Sequence, residues 1–377
     1  MERIDLQSFP TPYFLVDETR LRKNLEILRG VCDRTGCKIL LAQKAFSMYA
    51  VYPVIREYLA GTTASGLYEA RLGHDHFGGE THVFSPAYRD TEFDELLSYA
   101  DEVVFNSCLQ LRKFAPRAKA AGKSIGLRVN PMCSTQEGHA IYDPCAPGSR
   151  LGVTLANFDA ALAPMLDGLH FHTLCEQNSD ALEVTAQAFE QQFGQYLHAL
   201  QWVNFGGGHH ITRPDYDIAR LERVITHFRD TYGVQVYLEP GEAVVYHAGF
   251  LVSSVLDMVQ NGMDIAILDT SAACHMPDVL EMPYRPPLLH SGKAGKKAHT
   301  YRLAGPTCLA GDVIGDYSFD TPLQAGQTLV FEDMALYTMV KTNTFNGMPL
   351  PSIVWRDAAG QGWLVRKFGY ADFQNRL

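Results

Sequence analysis

The stretch WVNFGGGHHITRPDYDIARLERVITHFRDTYGVQVYLEPGE (202–242) contains one complete unit of the predicted fold. Two short apolar runs, WVNFGG (202–207) and QVYLEP (235–240), flank the segment DIARLERVITHFRDTYG (217–233). The apolar residues of that middle segment recur at helical spacing. Strand, helix and strand in this order are typical of a parallel βαβ unit, because strands buried on both faces are apolar throughout.

The same alternation extends towards the N-terminus. Six earlier apolar runs are each followed by a helical stretch: KILLAQ (38–43), GTTASG (61–66), THVFSP (81–86), EVVFNS (102–107), SIGLRVN (124–130) and GLHFHTL (168–174). Eight such units over about 200 residues predict a (β/α)8 TIM barrel. A doubly wound open sheet is the alternative, because strand counts from one sequence leave the closure of the sheet undecided.

The pattern changes after about residue 243, where short β-type runs punctuated by Gly, Pro and Asp replace the alternation. These runs are AGFLVSSVLDMV, DIAILDTSA, HTYRLAG, TLVFED, ALYTMVKT, SIVWRD and GWLVRKF. The strand-like segment PYFLVD (12–17) precedes the first helix and suits the same sheet. We therefore expect an α/β barrel at residues 18–243 and a mostly β domain formed by residues 1–17 and 244–377.

The composition excludes several classes of protein. The chain has 377 residues, 46% of them hydrophobic, and a net charge of −10. An acidic balance argues against nucleic-acid binding, which needs a basic surface. Eight cysteines without a CxxC pair indicate neither a disulfide framework nor a zinc site. We expect a cytoplasmic enzyme, because there is no apolar stretch of membrane-spanning length and no signal-like N-terminus.

Polar and glycine residues gather after the predicted barrel strands, where the active site of such a barrel lies. They are Lys44, Ser65, Glu69, Arg128, Asn130, His170, His172, Gly206, Gly207, Gly208, His209, His210, Glu239, Gly241 and Glu242. A lysine directly after an apolar strand is partly desolvated, which favours the free amine needed for Schiff-base chemistry. From position alone, Lys44 is also compatible with an ordinary surface lysine.

Other candidates have comparable alternatives. The three glycines would let backbone amides and the following helix N-terminus approach a phosphate, or simply form a tight turn. Glu239 could form a hydrogen bond with a cofactor's ring nitrogen, or it could serve as a helix cap or in a structural salt bridge. The pair His170 and His172 faces one side of a strand, which permits a metal pair, a stacking ring or core histidines. Cys308, in AGPTCLAGD, is either a reactive thiol or an inert packing residue.

The ordered set resembles one family over nearly the whole chain. A lysine after the first strand, HxH (170–172), GGG (206–208), EPG (239–241), GPTC (305–308) and FNG (345–347) match the fold-type III pyridoxal-phosphate decarboxylases, with their alanine-racemase-like barrel. Within that family, AQKAFS (42–47), FHTLCEQ (171–177), LEPGEA (238–243) and LDTSAACHMPDVLEMPYRP (268–286) resemble the carboxynorspermidine/carboxyspermidine decarboxylase branch.

The resemblance implies pyridoxal 5'-phosphate as cofactor and no metal. Lys44 would hold the cofactor covalently, His172 would stack on its ring, and Glu239 would keep the ring nitrogen protonated. The phosphate would be bound by backbone and hydroxyl groups of Gly206, Gly207, Gly208, Gly241 and Tyr337.

The resemblance also implies a homodimer with shared active sites. Cys308 would reach into the neighbouring subunit's site and protonate the substrate's Cα, and Phe345 would line that site. Many relatives have an arginine at the position of Glu242 and Gly-Ser at the positions of Leu174 and Cys175, so some phosphate contacts differ here. The acidic residues suited to the distal ammonium groups of a polyamine substrate are Glu242, Asp278 and Asp312.

Several other functions remain compatible with the sequence. One is another fold-type III decarboxylase acting on diaminopimelate, ornithine or arginine, or a racemase. A second is a decarboxylase-like regulator that binds without catalysis, although such a protein would have lost Lys44 or Cys308. A third is a barrel aldolase that uses Lys44 without a cofactor, which would leave the GGG and EPG segments without a role.

Overall fold

The computed structural model describes residues 9–136 and 140–377. Residues 1–8, the start of the predicted β domain, and residues 137–139 lie outside the described residues. The chain divides into two compact units. One is Arg22–Val244, and the other combines the residues up to Leu21 with Val245–Leu377.

The first unit contains a closed barrel of eight strands, each paired in parallel with its neighbours. The last strand pairs with the first through Lys38 opposite Tyr237, so no edge is left open. The predicted TIM barrel is therefore confirmed, and the open doubly wound sheet is excluded. The strands are β2 (Lys38–Ala42), β3 (Gly61–Ala64), β4 (Glu80–Phe84), β5 (Glu102–Phe105), β6 (Ser124–Arg128), β7 (Gly168–His170), β8 (Trp202–Asn204) and β9 (Gln235–Leu238).

Helices connect these strands. In α7 (Ile218–Tyr232), the Asp217 side chain accepts the Arg220 N–H at the start, and Gly233 ends the helix with φ +71°. Such an N-cap and a left-handed C-terminal glycine satisfy backbone groups that a helix end leaves free. The others are α1 (Glu18–Thr35), α2 (Tyr52–Arg56), α3 (Leu67–His76), α4 (Asp90–Tyr99), α5 (Cys108–Ala120), α6 (Ser179–Leu197) and α8 (Glu242–Val245), with 3₁₀ turns at Tyr49–Val51, Ala140–Tyr142, Leu155–Asn157 and Ala160–Met165.

Two glycines make room for the large side chain of Trp202 inside the barrel. A Cβ atom on Gly126 would lie 2.3 Å from the indole, and one on Gly168 would lie 2.0 Å from it. Both distances are well inside van der Waals contact, so the interior of β6 and β7 is small where that of β8 is large. Complementary sizes of this kind fill a barrel core without voids.

The second unit is built on a mixed sheet of nine strands, in the order β12-β14-β13-β11-β10-β1-β16-β17, with β15 paired to β10. The predicted mostly β region is therefore confirmed, and PYFLVD joins it, because β1 pairs with both β10 and β16. The strands are β1 (Tyr13–Asp17), β10 (Gly249–Gln260), β11 (Asp264–Leu268), β12 (Gly292–Lys293), β13 (His299–Ala304), β14 (Val313–Phe319), β15 (Thr328–Glu332), β16 (Ser352–Arg356) and β17 (Gly362–Arg366). Short helices are α9 (Ala272–His275), α10 (Asp278–Glu281) and α11 (Tyr370–Gln374), with a 3₁₀ turn at Phe345–Gly347.

One predicted strand of this unit is wrong. The run ALYTMVKT (335–342) forms turns. Tyr337 has φ +52°, which an extended strand does not allow. Ala335 also packs closely on β10, because a Cβ atom on Gly249 would lie 2.0 Å from the Ala335 Cβ. Conversely, β14 (VIGDYSF) was not predicted, since Gly315 and Asp316 interrupt its apolar pattern.

In the part of the chain that the structure describes, no helix has both the length and the apolar character that crossing a membrane requires.

Candidate active site

A cavity of about 270 Å³ lies at the carboxyl ends of the barrel strands. Active sites of TIM barrels lie at this face. The cavity brings together six of the candidates predicted at the strand ends: Lys44, Ser65, Arg128, His170, His172 and Glu239. The rest of its lining is Ala42, Thr63, Ala64, Phe84, Pro86 and Leu151.

Lys44 follows the end of β2 and lines the cavity, where its side chain is accessible to solvent. Even so, the protein atoms around the amine lower the pKa of Lys44 by desolvation, and the charge of Arg128 lowers it further, against the opposing effect of Glu239. A buried ammonium loses its hydration, so the neutral amine is favoured. The free amine is the form that attacks a carbonyl carbon.

Glu239 is 7% exposed and has two hydrogen-bonding partners. The Asn204 Nδ2 donates to its Oε1 at 2.8 Å, and the His170 Nε2 lies 3.4 Å from its Oε2. Burial by itself would raise the pKa of Glu239, but His170 and Asn204 lower it to about 2. The site therefore holds an ionised carboxylate that is directed at whatever occupies the cavity.

Asn204 was missed by the sequence analysis. Its position in WVNFGG, two residues after Trp202 on β8, places it on the same inward face. A lone amide in an apolar run is the available signal, but only the fold shows that Glu239 from β9 lies opposite it.

His172 is held by the glycine loop in a defined orientation. The Gly207 N–H donates to the His172 Nδ1 at 3.0 Å, which places the ring proton on Nε2. Burial lowers the pKa of His172 well below its usual value, and the charges of Lys44 and Arg128 act in the same direction. A neutral, fixed imidazole is suited to stacking against a flat ligand.

The glycines at 206 and 207 are required by close packing. A Cβ atom on Gly206 would lie 2.7 Å from the His172 Cβ, and one on Gly207 would lie 2.5 Å from the Glu239 carbonyl oxygen. Gly206 also has φ +70°, which favours glycine. The three glycines therefore let the loop after β8 approach both His172 and Glu239.

The amides of this loop are partly used inside the protein. The Gly206 N–H donates to the Asn204 Oδ1 at 2.8 Å, and the Gly207 N–H is used by His172. Within the described ranges this leaves the Gly208 amide for a ligand. The helix that follows the glycines, α7, begins at Ile218. The phosphate-binding roles of Gly206, Gly207, Gly208 and Gly241 stay predictions.

Arg128, at the end of β6, is a buried cation of the cavity. Its Nη2 donates to the His172 carbonyl oxygen at 3.1 Å, and its guanidinium lies 4.7 Å from the centre of the Phe84 ring. Burial lowers the pKa of Arg128 to about 10, so it stays charged near neutral pH. It can therefore balance an anionic ligand group.

The two histidines of the HxH segment have different surroundings. The His170 ring stacks on Phe84 with centroids 5.6 Å apart and contacts Glu239, while His172 contacts Gly207. Over residues 9–136 and 140–377, no group of three or more His, Cys, Asp or Glu side chains is arranged to hold a metal ion.

Glu242 lies just beyond β9 and has a histidine partner. The His210 Nε2 lies 2.7 Å from the Glu242 Oε2. This contact was not expected from the sequence, where His210 follows the glycines and Glu242 follows EPG. The predicted role of Glu242 as a ligand for a substrate ammonium group stays a prediction.

In the second unit, Cys308 lies on an exposed loop whose backbone is fixed by a neighbouring turn. The Cys308 N–H donates to the Asn346 Oδ1 at 2.8 Å. Asn346 has φ +60°, a conformation that Asn adopts more readily than most residues. Asn346 was missed, although the Asn-Gly pair in FNG is a turn signal. Phe345, beside it, is 48% exposed.

Two predicted amine ligands are engaged within the same unit. Asp312 is 3% exposed, and its Oδ2 accepts the Thr307 hydroxyl at 2.7 Å while its Oδ1 accepts the Ala273 N–H at 3.2 Å. Asp278 forms an ion pair with Lys341. These contacts fix the loops around Cys308 and α10. The substrate-binding roles of both aspartates stay predictions, as does the phosphate contact of Tyr337.

Comparison with known proteins identifies the relatives of this chain. The profile of the family described as "Pyridoxal-dependent decarboxylase, C-terminal sheet domain" matches residues 19–335. A carboxynorspermidine/carboxyspermidine decarboxylase of Campylobacter jejuni is 42% identical, over 98% of this chain and 99% of that protein. A carboxyaminopropylagmatine decarboxylase of a Synechocystis species is 41% identical, over 100% and 98%.

A solved structure has a similar fold over nearly the whole length of the chain. The crystal structure of carboxynorspermidine decarboxylase from Campylobacter jejuni, complexed with norspermidine, superposes with a TM-score of 0.91. It is 41% identical and covers 98% of this chain and 100% of that one. The similarity therefore includes the barrel and the mixed sheet.

Proposed function

The chain belongs to the pyridoxal-dependent decarboxylases, and from that premise we propose that it removes CO2 from carboxynorspermidine and carboxyspermidine. The products are norspermidine and spermidine, so the reaction belongs to polyamine biosynthesis. The observation that carries the proposal is one cavity that joins a lysine of lowered pKa, a neutral histidine and an ionised glutamate. These are the groups that a pyridoxal-phosphate decarboxylase of this family requires.

The residues present fit pyridoxal 5'-phosphate. The Lys44 amine is desolvated, Glu239 offers a buried negative charge, and the glycine loop holds His172 with a defined ring orientation. Arg128 and the Gly208 amide supply a cation and a donor for anionic groups. When bound, the cofactor accepts the electron pair of the bond between Cα and the departing carboxylate.

Three side chains of the protein have separate roles in the proposed reaction. Lys44 supplies the nitrogen that holds the cofactor covalently and must be neutral to do so. Glu239, as a carboxylate, would retain a proton on the cofactor's ring nitrogen. Cys308 donates the proton that replaces the carboxylate at Cα, as the resemblance implies.

The substrate's cationic tail is the part that distinguishes it from simpler amino acids. Glu242, Asp278 and Asp312 are the acidic residues proposed for its ammonium groups, and the net charge of −10 favours a cationic ligand. A second candidate substrate is carboxyaminopropylagmatine, because the Synechocystis relative that acts on it is nearly as similar. This compound ends in a planar guanidinium, whereas the carboxylated polyamines end in an ammonium group.

The chain is proposed to work in the cytoplasm as a homodimer. Cys308 and Phe345 are both exposed, as suits side chains that complete a second subunit's active site. Size-exclusion chromatography with light scattering tests this. A monomer that is fully active at the concentrations of the assay would contradict the shared site.

The test of function is CO2 release by the cofactor-loaded protein at equal concentrations of each substrate. The set comprises carboxynorspermidine, carboxyspermidine, carboxyaminopropylagmatine, ornithine, arginine and meso-diaminopimelate. We expect turnover of the first two to exceed all others. Preference for carboxyaminopropylagmatine would support the second candidate substrate. Preference for a short amino acid would overturn the proposed role of Glu242, Asp278 and Asp312 in binding the substrate's ammonium groups. A protein that binds the cofactor without turnover would instead be a binding regulator.

A further inference from the structure

A second group of charged side chains lies at the opposite, amino-terminal end of the barrel interior. His82 on β4 is 3% exposed, and so is Glu102 on β5. Glu80 begins β4, and Lys38 begins β2 and forms an ion pair with Glu80. No step of the proposed reaction uses these residues. A charged group is buried at a cost unless a partner compensates it, so the cluster needs an explanation.

Both nitrogens of the His82 ring face carboxylates. Nε2 lies 3.1 Å from the Glu80 Oε2, and Nδ1 lies 3.0 Å from the Glu102 Oε1. Among the described residues, the His82 Nδ1 and the Glu102 Oε1 make no hydrogen bond of regular geometry, although they lie 3.0 Å apart. A neutral imidazole has a single N–H and cannot donate to both acids. While both acids are ionised, the ring between them is therefore an imidazolium, whereas burial raises the pKa of Glu102 and acts against its ionisation.

The environment of His82 agrees with this assignment. Burial by itself would lower the pKa of His82, but Glu102 and Glu80 raise it to about 10. The Tyr237 ring also faces His82, with ring centres 4.8 Å apart. The Tyr237 hydroxyl donates to the Glu80 Oε2 at 3.0 Å, and the Lys38 Nζ lies 3.5 Å from that hydroxyl.

This cluster lies one layer of side chains below Glu239. Tyr237 lies on β9 and Glu239 comes two residues later, just after the strand. His82 and Phe84 are two residues apart on β4, so each pair faces the barrel interior. In the lower layer His82 contacts Tyr237, and in the upper layer Phe84 stacks on His170, which contacts Glu239. Two residues along a strand correspond to about 7 Å.

We propose that His82 is a positioning residue for the active site: an imidazolium fixed between Glu80 and Glu102 that keeps the proton shared with Glu239 on the cofactor's ring nitrogen. A positive charge on the far side of Glu239 stabilises its ionised form. The shared proton then stays on the nitrogen and not on the carboxylate. This role rests on the proposed function, whereas the charge of His82 is argued from its contacts with Glu80 and Glu102.

The first experiment measures the charge of His82 in the unmodified, cofactor-free protein. Histidine ring nitrogens are labelled with ¹⁵N, and the His82 signals are assigned through their proximity to Tyr237. We expect both nitrogens to carry protons at neutral pH and well above it. Loss of one proton near the usual histidine pKa of about 6.5 would overturn the proposal.

The second experiment uses holoenzyme loaded with pyridoxal phosphate that carries ¹⁵N in its ring. In His82→Gln we expect a smaller fraction of protonated ring nitrogen and a kcat lowered about tenfold, with KM changed less. His82→Lys keeps a cation in the layer and should restore both values. The control is His227→Gln, which removes an exposed histidine paired with Glu190 at 2.7 Å and should change neither.

The outcomes separate the two proposals. A protonated ring nitrogen and an unchanged kcat in His82→Gln would overturn the role of His82, as would a His82→Lys variant that is as impaired as His82→Gln. Failure of the unmodified protein to bind the cofactor would overturn the proposed function, and the histidine spectra would still report the charge of His82.

Discussion

The two ends of the barrel interior contain histidines that ionise in opposite ways, the half-buried His172 and the buried His82. At the carboxyl end, burial lowers the pKa of His172 well below its usual value. At the amino end, Glu102 and Glu80 overcome the same effect and raise the pKa of His82 to about 10. Burial alone therefore does not decide the charge of a side chain in this barrel. The number of acids that face it does.

The contrast extends to the lysines at the two ends of β2. Lys44, after the strand, is exposed in the cavity, but desolvation by the surrounding protein and the charge of Arg128 lower its pKa. Lys38, at the start of the strand, pairs with Glu80 and remains partly exposed. The carboxyl end of the barrel thus favours a neutral amine at Lys44, and the amino end favours charged side chains held in ion pairs. Each of the following substitutions tests one side of this contrast.

The largest effect is expected at Lys44. In Lys44→Ala the nitrogen that holds the cofactor is gone, so activity should fall by several orders of magnitude and the absorbance band of the covalently bound cofactor should disappear. Ultraviolet-visible spectra and CO2 release measure both. The control is Lys113→Ala, which removes an exposed lysine paired with Asp90. A Lys44→Ala protein that keeps the band would refute the assignment.

The next effect is expected at Glu239. Glu239→Gln keeps an acceptor for Asn204 but removes the charge that retains the ring proton, so kcat should fall by about 10²–10³-fold. Steady-state kinetics with the preferred substrate measure this. Glu222→Gln, which disrupts a surface ion pair with Arg34, serves as the control. A loss smaller than about tenfold would show that the charge of Glu239 is dispensable.

The charged cluster around His82 at the amino end of the barrel should make the free energy of unfolding decrease as the pH becomes alkaline. The folded-state pKa of His82, about 10, lies above its unfolded value. Its stabilising contribution is therefore fully present below about pH 6.5 and is lost as the pH rises towards 10. Denaturant unfolding of the cofactor-free protein and of His82→Gln should differ by a few kcal/mol at neutral pH, and less as the pH rises. A difference that does not vary with pH would contradict a charged His82.

The smallest effect is expected from changing the ring at position 172. His172→Phe keeps a flat stacking surface but leaves the Gly207 N–H without its acceptor, so cofactor affinity should fall about tenfold. His172→Ala loses the stacking surface as well and should bind more weakly still. Titration of the cofactor-free variants with pyridoxal phosphate measures the order. Equal affinity in the two variants would argue against stacking.

Much of the barrel could be predicted because its signal is local. Each apolar run and each helical period lies within a short stretch of sequence, and the eight repeats leave few architectures open. Lys44, His172 and Glu239 were found because each follows a strand, and strand ends meet at one face. The strand predicted for ALYTMVKT was wrong because its conformation depends on a distant contact. Its turns are set by Ala335 packing against Gly249, a residue far away in the sequence.

The sequence by itself determined the alternation of strands and helices, the change to a β-rich second part, and the residues at the strand ends. Only the tertiary structure decided that the sheet closes, that Asn204 and His170 face Glu239, and that Asn346 holds the Cys308 backbone. It also decided the charge of His82, which stands in THVFSP as one polar residue in an apolar run. The physical reason is that ionisation depends on which groups lie across space, and Glu102 reaches His82 only through the pairing of β4 with β5.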